Sequence, residues 1–254
     1  MSELEKRPDN AVAAPLDYGQ HYNQGFDNQT KDDLVMPFLT VLQGGEKGMD
    51  DVPAAKPGLL FNTVTRELYE SVLFVPAITE RWFNEWIPRK QGGGFVGRHR
   101  PEAPEVVAAM EASTEFGKYK LPNGNELAET FNLYGSLCDA EQALGFCLMS
   151  FTSTKIKVYK AMNTRMQMLQ VPSGDGRKRT PPMFAHVLRV GTVAETNALG
   201  EYFNFTLTGV QGDLINGLMG PDDARFKAGL ECYTLVRSGK VKVADPTAEK
   251  EVPF

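Results

Sequence analysis

The stretch ALGFCLMSFT, residues 143–152, is a continuous apolar run of strand length, and the polar, helix-forming stretch STKIKVYKAMNTRMQML follows it at residues 153–169. A run in which both parities are apolar predicts a strand buried on both faces, in the centre of a sheet. In the second stretch Ile156, Tyr159, Met162, Met166 and Leu169 recur at spacings of three and four, which predicts a helix that packs along that stripe. Ser153 or Thr154 stands where a cap is needed, and Lys157, Lys160 and Arg165 fall largely off the apolar stripe. The pair predicts a sheet with a helix laid against it, one side packed and another positive.

Working outward, Leu59 to Val64 and Ser71 to Ile78 read as strands, being apolar or β-branched and bounded by Gly or Pro. Leu34 to Leu42 reads as a short helix or turn limited by Pro37. Glu105 to Phe116 has helical spacing, with Pro104 suited to its first turn and Gly117 to its stop. Pro122, Asn123 and Gly124 supply a turn, and Leu127 to Cys138 is extended. Met183 to Val190 and Tyr202 to Val210 form a last strand pair joined through Asn197 to Gly200, and Pro221 opens a helix reaching about Val236. Many strands with few helices predict a mainly β protein with added helices, an OB-type barrel or a related open β sheet; the alternative is an α+β domain. The expected organisation is a flexible arm over 1–30, a single β-rich domain over 31–239 and a flexible tail over 240–254.

With 254 residues, 42% hydrophobic and 23% charged, the chain is long enough for a large core. Three cysteines, Cys138, Cys147 and Cys232, are odd in number and set among apolar neighbours, the pattern of reduced, buried thiols in a cytoplasm. The first ten residues include Glu3, Glu5 and Asp9 and lack the pattern of a signal peptide, and no stretch reaches the length of a membrane span. A cytoplasmic protein without membrane partners is expected.

The formal net charge of −5 argues against a polyanion partner, but the charge is segregated. Residues 151–190 carry Lys155, Lys157, Lys160, Arg165, Arg177, Lys178, Arg179 and Arg189 against Asp175 alone. Residues 81–100 carry Arg81, Arg89, Lys90, Arg98 and Arg100 against Glu85 alone. Tyr159 stands among the first group, on the apolar stripe. Trp82, Trp86 and Phe95 stand among the second, around the run Gly92, Gly93, Gly94. Cations to follow phosphates and rings to receive unstacked bases are what binding a single strand requires. The same residues also fit a solvated helix face, a basic loop and core tryptophans.

Gly92, Gly94 and Gly97 satisfy G-x-G-x-x-G, but the polar segment before them and Pro101 and Pro104 after them exclude the strand and helix of a dinucleotide site. Catalysis has little support: His21, His99 and His186 form no ligand pattern, and no clustered carboxylates stand near His99 to hold a metal. No cofactor, no metal and no enzymatic activity are expected.

The chain ends in Glu249, Lys250, Glu251, Val252, Pro253 and Phe254. This end resembles that of bacterial single-stranded DNA-binding proteins and their phage counterparts, whose acidic tails finish in an Ile-Pro-Phe or similar tip. The resemblance implies a non-catalytic protein that coats and protects single-stranded DNA during replication, recombination or repair. It also implies that Val252, Pro253 and Phe254 recruit partner enzymes. The tail departs from the pattern in being weakly acidic, with Asp245, Glu249 and Glu251 against Lys242 and Lys250. A strand-annealing recombination protein and a metal-dependent nuclease are the alternatives; a homo-oligomer and a preference for RNA are left open.

Overall fold

The computed structural model describes residues 35–44, 52, 54–115, 117–197 and 200–239, together with residue 24. The expected arm over 1–30 (apart from Gln24), the tail over 240–254 with Val252, Pro253 and Phe254, and the helix-ending Phe116 lie outside the described residues.

In chain order the strands and helices begin with β1 (Leu39–Val41), β2 (Leu60–Asn62), β3 (Leu68–Tyr69), β4 (Val72–Trp86) and β5 (Phe95–His99). Helix α1 (Pro104–Ala112), β6 (Tyr119–Lys120), β7 (Glu126–Cys138) and β8 (Ala143–Thr152) follow. Then come α2 (Ile156–Met168), β9 (Val171–Pro172), β10 (Lys178–Arg179), β11 (Leu188–Asn197), β12 (Gly200–Gly209) and α3 (Ala224–Arg237). Among the described residues the fold is mainly β with three α-helices, and its principal sheet is open: none of its edges closes into a barrel.

Two long antiparallel strands organise everything else. β4 and β7 pair from Leu73 opposite Cys138 to Trp86 opposite Glu126. At one end of this ribbon β11 bonds β4, β12 bonds β11, and β8 bonds β7. At the other end β5 bonds β4 and β6 bonds β7. The ribbon is therefore shared by a five-stranded body and a smaller four-stranded lobe.

Alternation assigns the faces. On one face of the body Phe74, Leu133, Met149, Phe151, Leu188 and Phe205 pack under Tyr159, Met162 and Met166 of α2, joined by Leu39, Val41 and Leu60 of the small β1–β2–β3 sheet. On the other face Ala77, Tyr134 and Leu148 pack under Cys232 and Val236 of α3, with Met36 and Phe38. In the lobe, Phe83, Tyr119, Leu121 and Leu127 pack against Val106 and Ala109 of α1. Burying apolar area on both faces, at about 25 cal/mol per Å2, explains why the strands of the body read as unbroken apolar runs.

Several expectations are corrected. β8 is buried on both faces, but it is not central: among the described residues β7 is its only strand neighbour, and its far edge is met by a single bridge from Phe38 to Leu148. Continuous apolarity reported covered faces, not two neighbours. The 34–42 stretch supplies β1 instead of a helix, because Leu39 and Val41 alternate into the core opposite β2. No side chain caps α2; a 3-10 turn over Ser153–Lys155 leads into it. Met183 to Ala185 is likewise a 3-10 turn, so the strand begins only at Leu188. α1 stops at Ala112, and α3 starts three residues after Pro221, where the Asp223 carboxylate accepts from the Arg225 amide at 2.8 Å.

The outer edge of β12 is closed by a side chain. Gln43 donates from Nε2 to the Phe203 carbonyl at 2.8 Å and accepts the Phe203 amide on Oε1 at 2.9 Å.

The ribbon depends on one glycine. Register shifts between Pro76 and Ile78, a bulge at Ala77, and Gly135 lies opposite Pro76. A Cβ on Gly135 would stand 2.2 Å from the Val75 carbonyl oxygen and 2.4 Å from the Phe74 ring. Gly135→Ala is therefore expected to cost about 3 kcal/mol, at the upper end of overpacking penalties. Urea unfolding would measure the loss, and a change below about 0.5 kcal/mol would show that the backbone relaxes freely.

Candidate nucleic-acid interface

The ribbon's alternation separates residues that are adjacent in sequence. Arg81, Phe83 and Glu85 point to the α1 side with His99; Trp82, Asn84 and Trp86 point to the opposite side with Phe95 and Arg98. The Gly92–Gly94 run, with positive φ at all three residues, turns β4 into β5, so the glycines serve a hairpin and not a phosphate loop.

On the tryptophan side, the Arg100 guanidinium lies 3.8 Å from the Trp82 ring centroid, and the Trp82 indole donates to Glu80 at 3.1 Å. Trp86 meets Phe95 edge-on at 5.5 Å. Both tryptophans are half-buried, neither in a core cluster nor fully open. Arg89 and Lys90 are exposed in the short turn that follows β4.

On the other side the two basic segments meet. Arg81 and Lys160 lie over the same Phe131 ring, at 5.7 and 5.1 Å from its centroid, and Arg81 pairs with Glu129 at 2.6 Å. Tyr159 belongs to the core: it is buried, stacked on Phe131 at 4.8 Å and tilted on Phe151 at 5.6 Å, so its faces are used in packing. Lys155 lies over Phe205. Lys157 is held by Glu195 at 3.0 Å, and that hydrogen bond raises its pKa.

Beyond α2 the chain makes a two-stranded hairpin, β9 with β10, in which every residue from Gly174 to Thr180 is exposed. The Ser173 and Gly176 amides close its turn, and Asp175 pairs with Arg179 at 2.5 Å. Among the described residues Lys160, Arg165, Arg177 and Lys178 make no ion pair. The hairpin thus presents Arg177, Lys178 and Arg179 to solvent, and the Thr180 hydroxyl after it donates to the Gln167 carbonyl near the end of α2 at 3.1 Å. Arg81 and Lys160, over the Phe131 ring, do not share a face of the ribbon with Trp82 and Trp86, a division that sequence proximity hid and the period of two reveals.

The lobe contains a charge network that the sequence reading missed. His99 Nε2 is 2.7 Å from Glu85 and its Nδ1 is 2.9 Å from Glu105, while Glu85 also accepts from Asn125 at 2.5 Å and Asn123 at 3.2 Å. Burial opposes a charged imidazole at His99, but the bonds to Glu85 and Glu105 outweigh it and raise its pKa above 6.5. Burial likewise opposes ionised Glu85, but the bonds from Asn125, His99 and Asn123 hold its pKa below 4.5. Both ring nitrogens of His99 are occupied by carboxylates. His186 is fully buried with neither ring nitrogen paired, and burial pushes its pKa down to about 4. His21 lies outside the described residues. Among the described residues no group of three His, Cys, Asp or Glu side chains could hold a metal ion, and no helix is long and apolar enough to cross a membrane.

Fold and surface together define a mainly β protein built on an open antiparallel sheet, with basic and aromatic side chains on its exposed faces. The family model of the Pam3 phage gp34-like protein matches residues 5–242, and the chain belongs to that phage family. No curated protein and no solved structure matches it.

The network sets a pH dependence. The contribution of His99 is full below about 6.5 and is lost as pH rises through its raised folded pKa; that of Glu85 is present above about 4.5 and is lost as pH falls through its lowered one. The lobe should be most stable in mildly acidic solution. Urea unfolding followed by the emission of Trp82 and Trp86 should show the midpoint falling between pH 6 and pH 9, and falling less in His99→Gln. Parallel declines in both proteins would remove His99 as the cause.

Proposed function

We propose that the protein binds single-stranded DNA without turning it over, coating exposed strands during phage replication or recombination. The observation that carries this reading is the β9–β10 hairpin with α2 beside it. In a chain of net charge −5, these elements expose Lys160, Arg165, Arg177, Lys178 and Arg179, of which only Arg179 makes an ion pair among the described residues, with Asp175. Local positive charge on an acidic protein attracts a polyanion without general stickiness. The half-buried rings on the lobe, Trp82 under Arg100 and Trp86 beside Phe95, provide sequence-tolerant stacking surfaces of the kind that favour unpaired bases over duplex. Lys157, engaged by Glu195, and Tyr159, packed in the core, are left out of the contact set.

Fluorescence anisotropy with labelled oligonucleotides tests the reading. Single strands should bind more tightly than duplex, with a log-log salt slope of roughly −3 to −4 for four to six phosphates. Replacing Arg177, Lys178 and Arg179 together by Ala should flatten the slope by about 2 while leaving the melting temperature nearly unchanged, since an exposed pair such as Asp175 with Arg179 contributes little to folding. Equal affinity for duplex, or an unaltered slope in the triple variant, would sink the assignment.

Stacking on the lobe has its own readout. Tryptophan emission should quench on oligonucleotide addition, and Trp86→Ala should weaken binding by about 1–3 kcal/mol with little loss of stability. A variant that binds normally but unfolds easily would make the ring purely structural.

A further inference from the structure

The β4 edge that faces away from β7 is bonded by β11 at Val72–Phe74 and by β5 at Phe83–Trp86. From Val75 to Trp82 it has no strand partner among the described residues. A cleft of about 560 Å3 opens along this gap, within the 300–1,000 Å3 range of small-ligand sites. One wall is α2, whose Tyr159, Asn163 and Gln167 stand four residues apart and so share a stripe. The opposite wall is the segment after β10, including Phe184, and Tyr233 of α3 closes the end.

Its chemistry is that of a planar, polar ligand. The Asn163 and Gln167 amides, each both donor and acceptor, bond no other described residue. The Thr79 hydroxyl is buried there beside the Tyr159 hydroxyl but without a well-formed hydrogen bond, a cost that an incoming polar group would remove. Phe184 and Tyr233, with ring centroids 5.7 Å apart, offer aromatic surface.

The position narrows the ligand further. The hairpin bearing Arg177, Lys178 and Arg179 joins the two walls: β9 follows α2, β10 leads into the opposite wall, and the Thr180 hydroxyl donates to the Gln167 carbonyl at 3.1 Å. The hairpin that carries the cations is therefore anchored next to a cleft whose interior suits a base edge and ring. We propose that the cleft takes one unstacked base of the bound strand, while the hairpin cations hold the flanking phosphates. This deepens, and rests on, the single-strand reading above.

The test compares the full chain with an Asn163→Ala/Gln167→Ala variant on oligo-dT, oligo-dC and oligo-dA. Affinity for at least one oligomer should fall about tenfold with the salt slope unchanged, because a base contact is lost and no phosphate contact is. Photo-crosslinking of a 5-iododeoxyuridine oligonucleotide should mark Phe184 or Tyr233 in the unaltered protein. Unchanged affinity for all three oligomers, or crosslinks only at other sites, would overturn the cleft assignment while leaving single-strand binding intact. Failure of the unaltered protein to hold any single strand would instead overturn the functional reading itself.

Discussion

The pairing of β4 with β7 is the constraint on which the rest of the molecule depends. Two strands of 15 and 13 residues are longer than either core needs, so the ribbon passes from the body into the lobe and carries both. Backbone hydrogen bonds must be satisfied along its length, and different strands satisfy them at each end. That exchange of neighbours creates the gap on the β4 edge. Gly135 allows the sheet to be crossed closely at the Ala77 bulge, where the Cys232 thiol lies 3.7 Å from the Gly135 carbonyl oxygen and α3 settles against the strand.

Much of the fold was legible because burial leaves a period in the sequence. The stripe of α2, with Tyr159, Met162 and Met166 buried, follows from spacing alone, and so do β7, β8 and β12 within a residue or two. What spacing could not carry was the order of strands. β8 reads as central because Leu148 meets α3 while Met149 meets α2, and one-dimensional apolarity cannot distinguish two covered faces from two hydrogen-bonded edges. β4 was read only as far as Ile78, because beyond it the inward residues Phe83 and Glu85 alternate with large aromatics on the open side and the apolar count does not drop cleanly.

The candidate site was legible in its charges and not in its geometry. Arg177, Lys178 and Arg179 are conspicuous in any window, and the structure places them on an exposed hairpin. Trp82 and Trp86 are equally conspicuous, yet the pleat turns them from Arg81 and so from Lys160. Asn163 and Gln167 carry no signal of their own, since neutral amides on a helix are ordinary; only the missing strand beside Thr79 gives them something to line. His99 looked like a member of a basic run because Arg98 and Arg100 flank it, whereas alternation hands it to Glu85 and Glu105 on the covered side.

An open sheet has exposed edges, and the long edge of β12 is a template onto which another extended chain can add. At Phe203, in the middle of that strand, the Gln43 amide occupies both the carbonyl and the N–H that a newcomer would need. Addition of a strand there requires breaking two hydrogen bonds and expelling a side chain before the first new bond forms. The primary amide is thus a local obstacle to edge-to-edge polymerisation, and under the proposed single-strand reading, in which many copies crowd along one strand, such an obstacle has particular value.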